Sequence, residues 1–334
     1  MIITKTPFRM SFFGGGTDME DYFKENGGAV LSTTFDKYCY VNVRHLPRFF
    51  HYSTELSYSK TERVTDVNNI QHPAIREAMK MLDMHEIRLT YEADLPARSG
   101  LGTSSSFAVG MLNAFYALKG KYADKKKLAD EAIYLERVLC NEAGGWQDQV
   151  AASYGGFNRI NFGPDGYEVL PIIISPERKK QLNNNLIMFF TGFTRFSSEV
   201  QKANQVGNKE DKKQQLKKMY KLVDEAEKVL VDKNRDLDDF GRLLDITWKL
   251  KRQTGVAIST DSIDGLYARG IAAGALGGKL LGAGGGGFLV FYVQPDKQEV
   301  VRKAMSDLMY IPFEFENGGT RVIHYTPESY VSQE

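Results

Sequence analysis

The chain has 334 residues, 42% hydrophobic and 25% charged, a composition that excludes disorder and fibre, and its length predicts two domains rather than one compact core. Lys plus Arg number 43 against 42 Asp plus Glu, so no overall field favours nucleic acid or an anionic membrane, and any phosphate site must be local. The two cysteines, Cys39 and Cys140, fit neither a metal-ligand spacing nor a disulfide framework; no apolar run nears the roughly 18 residues of a membrane span and no signal-peptide core is present, so a cytoplasmic protein is expected.

A short N-terminal strand runs into Pro7-Phe8-Arg9-Met10-Ser11-Phe12-Phe13-Gly14-Gly15-Gly16-Thr17-Asp18, which by turn chemistry alone is a glycine hairpin. Leu89 to Tyr91 reads as a strand leading into Leu95-Pro96-Ala97-Arg98-Ser99-Gly100-Leu101-Gly102-Thr103-Ser104-Ser105-Ser106. Glycines there let the backbone fold closely around phosphate oxygens, and the Thr and Ser run opens a helix whose free N–H groups and dipole favour negative charge. A hydroxyl at that place can also ligate Mg²⁺. The plainer alternative is a Ser-capped helix after a glycine turn.

Phe107, Met111, Leu112, Phe115 and Leu118 continue at helical spacing to Gly120, placed as a cap. Leu128, Ala132, Leu135 and Leu139 mark another amphipathic helix, expected to end at Gly144-Gly145. Asp148 in Gly144-Gly145-Trp146-Gln147-Asp148-Gln149 would then follow a helix end, where an isolated Asp is ordinarily a turn residue. Leu186 to Phe190 is a buried strand opening the second domain, and Arg195 follows it, either an anion ligand or a surface arginine. Residues 201 to 240 are charge-rich, yet Leu216, Met219, Val223, Ala226 and Leu230 keep a helical stripe, which predicts a solvated helix. Phe288 to Val293 and Arg321 to Tyr325 read as strands, and the irregular mixture of strands and helices favours α+β.

Three decoys are set aside. No P-loop string exists, since Lys279 is followed by Leu280 and Ala273 stands where its first Gly should be. Gly282, Gly284 and Gly287 have dinucleotide-fingerprint spacing, but an apolar strand follows where a helix should begin, which disfavours a nicotinamide enzyme. Asp239-Phe240-Gly241 has no His-Arg-Asp loop before it.

Together the glycine clusters resemble the GHMP kinases, the superfamily of galactokinase, homoserine kinase, mevalonate kinase and phosphomevalonate kinase. Pro96 to Ser106 is similar to the family's Pro-x3-Gly-Leu-Gly-Ser-Ser-Ala-Ala phosphate loop, with Thr103 for the first Ser and Ser106 for an Ala. Lys279 to Phe288 resembles the third glycine motif, and Pro7 to Asp18 the first motif of sugar-specific members. Thr6 to Asp18, Gly27 to Ser32 and Gly144 to Gln149 look like the bacterial D-glycero-D-manno-heptose 7-phosphate kinase group, with parts shared by galactokinase-like and fucokinase-like enzymes.

The resemblance implies a two-domain α+β fold of mixed and antiparallel sheets with helices. Its active site would lie in a cleft between domains 1–182 and 183–334, the last strand returning to the first domain. It implies ATP and Mg²⁺ as cofactors, a small-molecule sugar or sugar phosphate as partner, and a monomer or homodimer. Pro96, Arg98, Ser99, Gly100, Leu101, Gly102, Thr103, Ser104 and Ser105 would hold the ATP phosphates, with Mg²⁺ on Ser104 and Glu136. Asp148 would take or orient the proton of the attacking hydroxyl, paired with Arg9. Gly16, Thr17, Asp18, Gly284 and Gly285 would face the acceptor, and Arg195 its existing phosphate. The implied reaction is transfer to the anomeric hydroxyl, giving a 1,7-bisphosphate. The alternatives are a hexose 1-kinase of galactokinase or fucokinase kind, or a non-catalytic sugar sensor, which would not need Asp148, Arg9, Ser104 and Glu136.

Overall fold

The structure, a computed structural model, describes residues 1–97, 99–192, 209–255, 257–282 and 284–327. The apolar N-terminal segment forms β1, Ile2–Phe13, buried throughout from Thr6 onward because both of its faces are covered. It pairs antiparallel with β2, Gly28–His45, and the register shifts between Pro7 and Phe8, where proline offers no N–H. The remaining strands of this large sheet are β3 (Thr54–Ser57), β4 (Thr61–Val64), β5 (Ile87–Ala93), β6 (Phe157–Gly163), β7 (Gly166–Pro171), β12 (Phe315–Glu316) and β13 (Arg321–Tyr325). Its main path runs β13-β1-β2-β5-β3-β4, with β6 and β12 also paired to β2 and β7 to β6. Only β3 with β5 is parallel among these described pairs, so the sheet is mixed.

A second sheet of four antiparallel strands has the order β11-β8-β10-β9. These are β8 (Leu186–Phe190), β9 (Gly277–Leu280), β10 (Phe288–Tyr292) and β11 (Met309–Ile311). After β11 the chain leaves this sheet, and β12 and β13 rejoin the large one.

The described helices are α1 (Glu20–Asn26), α2 (Pro73–Met81), α3 (Thr103–Leu118), α4 (Lys125–Tyr134), α5 (Gln147–Tyr154), α6 (Pro176–Asn184), α7 (Lys209–Val231), α8 (Asp238–Arg252), α9 (Asp261–Ala272) and α10 (Gln298–Ala304). Helix α3 is central and buried on nearly every side except at Ser104 and Asn113. It lies so close to β1 that a Cβ on Gly110 would come within 2.6 Å of Thr6 Oγ1, while Thr4 Oγ1 donates to Gly110 O at 2.9 Å. One apolar core joins the two sheets: Phe12 and Phe13 of β1 meet the Phe240 ring of α8 edge-on, at 5.3 and 5.0 Å between centroids. No helix among the described residues is long and apolar enough to cross a membrane.

Three local expectations need correction. The helix carrying Leu128 to Leu139 does not run to the Gly144-Gly145 pair. It passes into a π-helical turn over Leu135–Leu139, closed by Cys140 N–H to Leu135 O at 2.9 Å, and the glycines lie in the loop beyond. Asp148 opens helix α5 instead of following a helix end. The charge-rich segment holds two helices within its described part, because Asp232 and Asp236 bind the N–H groups of Asn234 and Asp238 at 2.9 Å and turn the chain. The stripe on α7 from Leu216 to Leu230 is buried against the rest of the protein.

Candidate active site

The loop after β5 delivers α3 with its N-terminus open to a cleft of roughly 1630 Å³. Gly102 precedes the helix in a left-handed conformation, φ +72°, and Gly100 has φ +83°. Here glycine is required by loop-to-loop contact: a Cβ on Gly100 would lie 2.4 Å from Leu281 O, and one on Gly282 2.3 Å from Gly100 Cα. A Cβ on Gly287 would lie 2.1 Å from Ser99 O. The second and third glycine clusters thus interlock. Gly284 packs in the same way against Ile258, and the Gly285 N–H donates to Ile258 O at 3.0 Å; neither glycine is among the residues that line the cleft.

Helix α3 presents Ser104 to the cleft, and the π-helical turn rotates Glu136 inward to 1% exposure. Ser104 Oγ donates to Glu136 Oε1 at 2.8 Å, and Ser105 Oγ donates to Oε2 at 2.7 Å. Gln149 Nε2 also donates to Oε2, and Arg137 Nη2 lies 3.5 Å from it. Burial, and then the charge of Glu136, push the Glu142 carboxyl upward nearby.

Beside Gly102, Arg9 of β1 grips Asp148 of α5 with two bonds, Nε to Oδ1 at 2.8 Å and Nη2 to Oδ2 at 2.9 Å. Its third arm, Nη1, donates to Gly100 O at 2.7 Å and ties the pair to the phosphate-type loop. Arg9 is 4% exposed, whereas Asp148 keeps 26% of its side chain open. Asp18, buried, accepts from the N–H groups of Gly16 at 2.9 Å and Gln147 at 3.3 Å. Its pKa is raised by burial first and by the Asp148 charge second. The Gly144-Gly145 pair makes room for this wall, since a Cβ on Gly145 would meet Asp18 Oδ2 at 1.9 Å and one on Gly144 the Arg137 guanidinium at 2.6 Å.

The structure therefore brings Arg9, Gly16, Asp18, Gly100, Gly102, Thr103, Ser104, Ser105, Glu136 and Asp148 to one cleft. Thr17 is a correction: it is fully buried and its hydroxyl donates to Gly14 O and Ala29 O, bracing the turn. Leu101 packs into the core, Pro96 is exposed outside the cleft lining, and the buried Ser99 hydroxyl has no partner among the described residues. Arg98 and Arg195 lie outside the described residues.

Sequence reasoning missed several members. Lys251 and Lys279 are buried lysines beside Arg9, hidden in a helix-surface charge run and within a glycine-motif flank. Ser11 and Gln147 line the cleft with buried oxygens, Oγ and Oε1, that lack partners among the described residues. At the far end, beyond the N-terminus of α3, the rings of Tyr58, His72, Phe107 and Tyr91 meet edge-on at 4.8 to 5.5 Å. No sequence motif marks that aromatic set, because its members come from separate elements.

Residues 68–156 match the pattern described as GHMP kinases N terminal domain, and residues 222–311 that described as GHMP kinases C terminal. The D-glycero-alpha-D-manno-heptose 7-phosphate kinase of Campylobacter jejuni is 31% identical over 324 residues, covering 91% of this chain and 93% of that protein. Among solved structures, a D-glycero-D-manno-heptose 1-phosphate kinase from Bacteroides thetaiotaomicron superposes with a TM-score of 0.77 at 23% identity, covering 97% of this chain and 99% of that one. The Lactococcus lactis galactokinase bound to galactose gives 0.71 at 16% identity, over 96% and 94%, a likeness of fold alone.

Proposed function

The chain belongs to the GHMP kinases and is an ATP-dependent sugar kinase, a phosphotransferase with an alcohol group as acceptor, and from that premise we propose that it phosphorylates the anomeric hydroxyl of D-glycero-D-manno-heptose 7-phosphate. The observation that carries the site assignment is the Arg9–Asp148 pair, held against Gly100 at the N-terminus of α3. The N–H groups there receive the ATP phosphates, favoured by the helix dipole. The aromatic set of Tyr58, His72, Tyr91 and Phe107 receives the adenine.

Asp148, on the open side of its ion pair, takes the proton of the attacking hydroxyl. Arg9 holds that carboxylate in place and offsets charge on the phosphoryl group. Asp18, Ser11 and Gln147 give the acceptor's other hydroxyls hydrogen-bond partners, and the Ser11 and Gln147 oxygens, which have no partner among the described residues, suit a polyol. Ser104 and Glu136 are two oxygen donors side by side at the helix N-terminus, a set that suits a hard cation completed by phosphate and water oxygens. Mg²⁺ held there supplies neutralisation of phosphate charge. For the acceptor's own phosphate, Arg195 stands as the candidate from sequence.

An ADP-release assay across heptose 7-phosphate, galactose, fucose and mannose tests the reading. Heptose 7-phosphate is expected to give the highest kcat/KM, by about 10²-fold or more over the unphosphorylated hexoses, since a site built for a polar group rejects substrates lacking it. A preference for galactose or fucose replaces the heptose assignment with a hexose 1-kinase.

A further inference from the structure

Five ionisable side chains from separate stretches meet at the floor of the cleft: Arg9 of β1, Asp18 of the glycine turn, Asp148 of α5, Lys251 of α8 and Lys279 of β9. Arg9 is committed to Asp148 and Gly100 O. Lys279 is also committed, 1% exposed, with its ammonium nitrogen donating to Ser11 O at 2.8 Å and Phe12 O at 3.0 Å. Burial, then Lys251 and Arg9, press Lys279 well below the ordinary lysine range, and it acts as a strut between β9 and β1.

Lys251 differs. It is 8% exposed yet lines the cleft, and among the described residues its ammonium has one hydrogen-bond acceptor, Gly282 O. Two of its three N–H donors therefore remain for a ligand. Gly282 backs directly onto Gly100, so the Lys251 head sits at the seam between the phosphate-type loop and the third glycine run. Asp18 and Asp148 act on it from the acceptor wall. Its helix neighbours do not neutralise it, because Lys249 pairs with Asp245 and Arg252 with Asp264.

We infer that Lys251 is a further catalytic residue, whose ammonium bridges the transferring phosphoryl group and the acceptor oxygen and stabilises the charge that builds between them. This rests on the kinase reading above. In the transfer, the acceptor proton passes to Asp148 and the acceptor oxygen bonds to the γ-phosphorus. The bond from that phosphorus to the β–γ bridging oxygen breaks, its electron pair leaving on ADP. Lys251 keeps its protons throughout, so the step balances.

A cation in this position weakens the fold. Burial first, then Arg9, lower its pKa to about 8, against the raising influence of Asp18 and Asp148. The folded value lies below the unfolded one, so the cost is fully present below about pH 8 and is relieved as pH rises toward the ordinary lysine value of about 10.4. The active, charged form is lost over the same rise.

Lys251→Met and Lys251→Arg, compared with wild type by steady-state kinetics and thermal melts from pH 6.5 to 9.5, decide the matter. The Met variant is expected to lose about 10²–10³-fold in kcat, with KM for ATP within about threefold. Its Tm at pH 7 should be no lower than wild type, and the wild-type fall in kcat above about pH 8 should be absent. The Arg variant should recover part of kcat and hold it across that range, because guanidinium stays charged. A Met variant with kcat within about twofold of wild type overturns the inference. So does a loss of kcat that comes with a lower Tm and an unchanged basic limb, the mark of a structural prop. A wild-type protein that releases no ADP with any sugar instead removes the kinase reading itself.

Discussion

On the donor wall, Glu136 is sealed in and both its oxygens accept bonds from Ser104, Ser105 and Gln149. On the acceptor wall, Asp148 is partly open, bonded to Arg9, and lines the same cleft as Ser11 and Gln147, whose buried oxygens have no partner among the described residues. The first wall fixes the place of its carboxylate before any ligand arrives, and such preorganisation limits the reorganisation that charge stabilisation needs during reaction. The second keeps unmet polar groups that a hydroxyl-rich acceptor satisfies. Damage to one wall should therefore read out on nucleotide and metal use, and damage to the other on the acceptor.

The seam that both walls share should break both at once. Gly100→Val puts a Cβ 2.4 Å from Leu281 O at a φ of +83°, and loop displacement should lower kcat/KM for ATP and sugar alike by at least about 10²-fold. ADP release and a thermal melt measure it. A selective effect on one substrate would separate the walls at a point where they are joined.

Asp18→Asn comes next and should fall on the acceptor alone. Loss of a charge-assisted bond of about 1.5–3 kcal/mol should raise the acceptor KM roughly 10- to 100-fold and leave KM for ATP unchanged. Its stability effect has a definite sign. Burial and Asp148 raise the folded pKa above the unfolded value of 3.8, so the native protein loses stability as pH climbs through that interval and carries the cost at neutral pH. The Asn variant should thus melt no lower than wild type at pH 7 and show a flatter pH dependence, read by melts from pH 4 to 8.

Ser104→Ala should be the mildest, because Ser105 and Gln149 still hold Glu136. About a fivefold loss at limiting Mg²⁺ is expected, one hydrogen bond's worth near 1 kcal/mol, partly restored by excess metal. Unchanged kinetics at limiting Mg²⁺ would leave Ser104 a helix residue only.

The same contrast explains what could be read in advance. The donor wall is a contiguous run, Gly100 to Ser105, whose glycines and hydroxyls announce their chemistry, and β13 and the α7 stripe were legible from simple periodicity. Lys251 was not legible, because a lysine in a run of helix charges looks solvated until α8 is docked against β1. In the third cluster the sequence points to Gly284 and Gly285 for the acceptor and gives no sign that Gly282 and Gly287 are needed for contact with residues more than 180 positions earlier in the chain, a pairing that only the fold reveals. The π-helical turn escaped for a related reason: an apolar period continues through Leu139 while one extra residue per turn rotates Glu136 into the site.

The central claim is that Asp148, held by Arg9, takes the proton of the attacking hydroxyl. Asp148→Asn preserves size and most hydrogen bonding but cannot accept that proton, so kcat should fall about 10²–10⁴-fold. KM for ATP should stay near wild type, and ATP should still raise the Tm of the variant by binding the folded state. A folded Asp148→Asn protein that retains near-normal kcat would contradict the account, and would leave catalysis to positioning and metal alone.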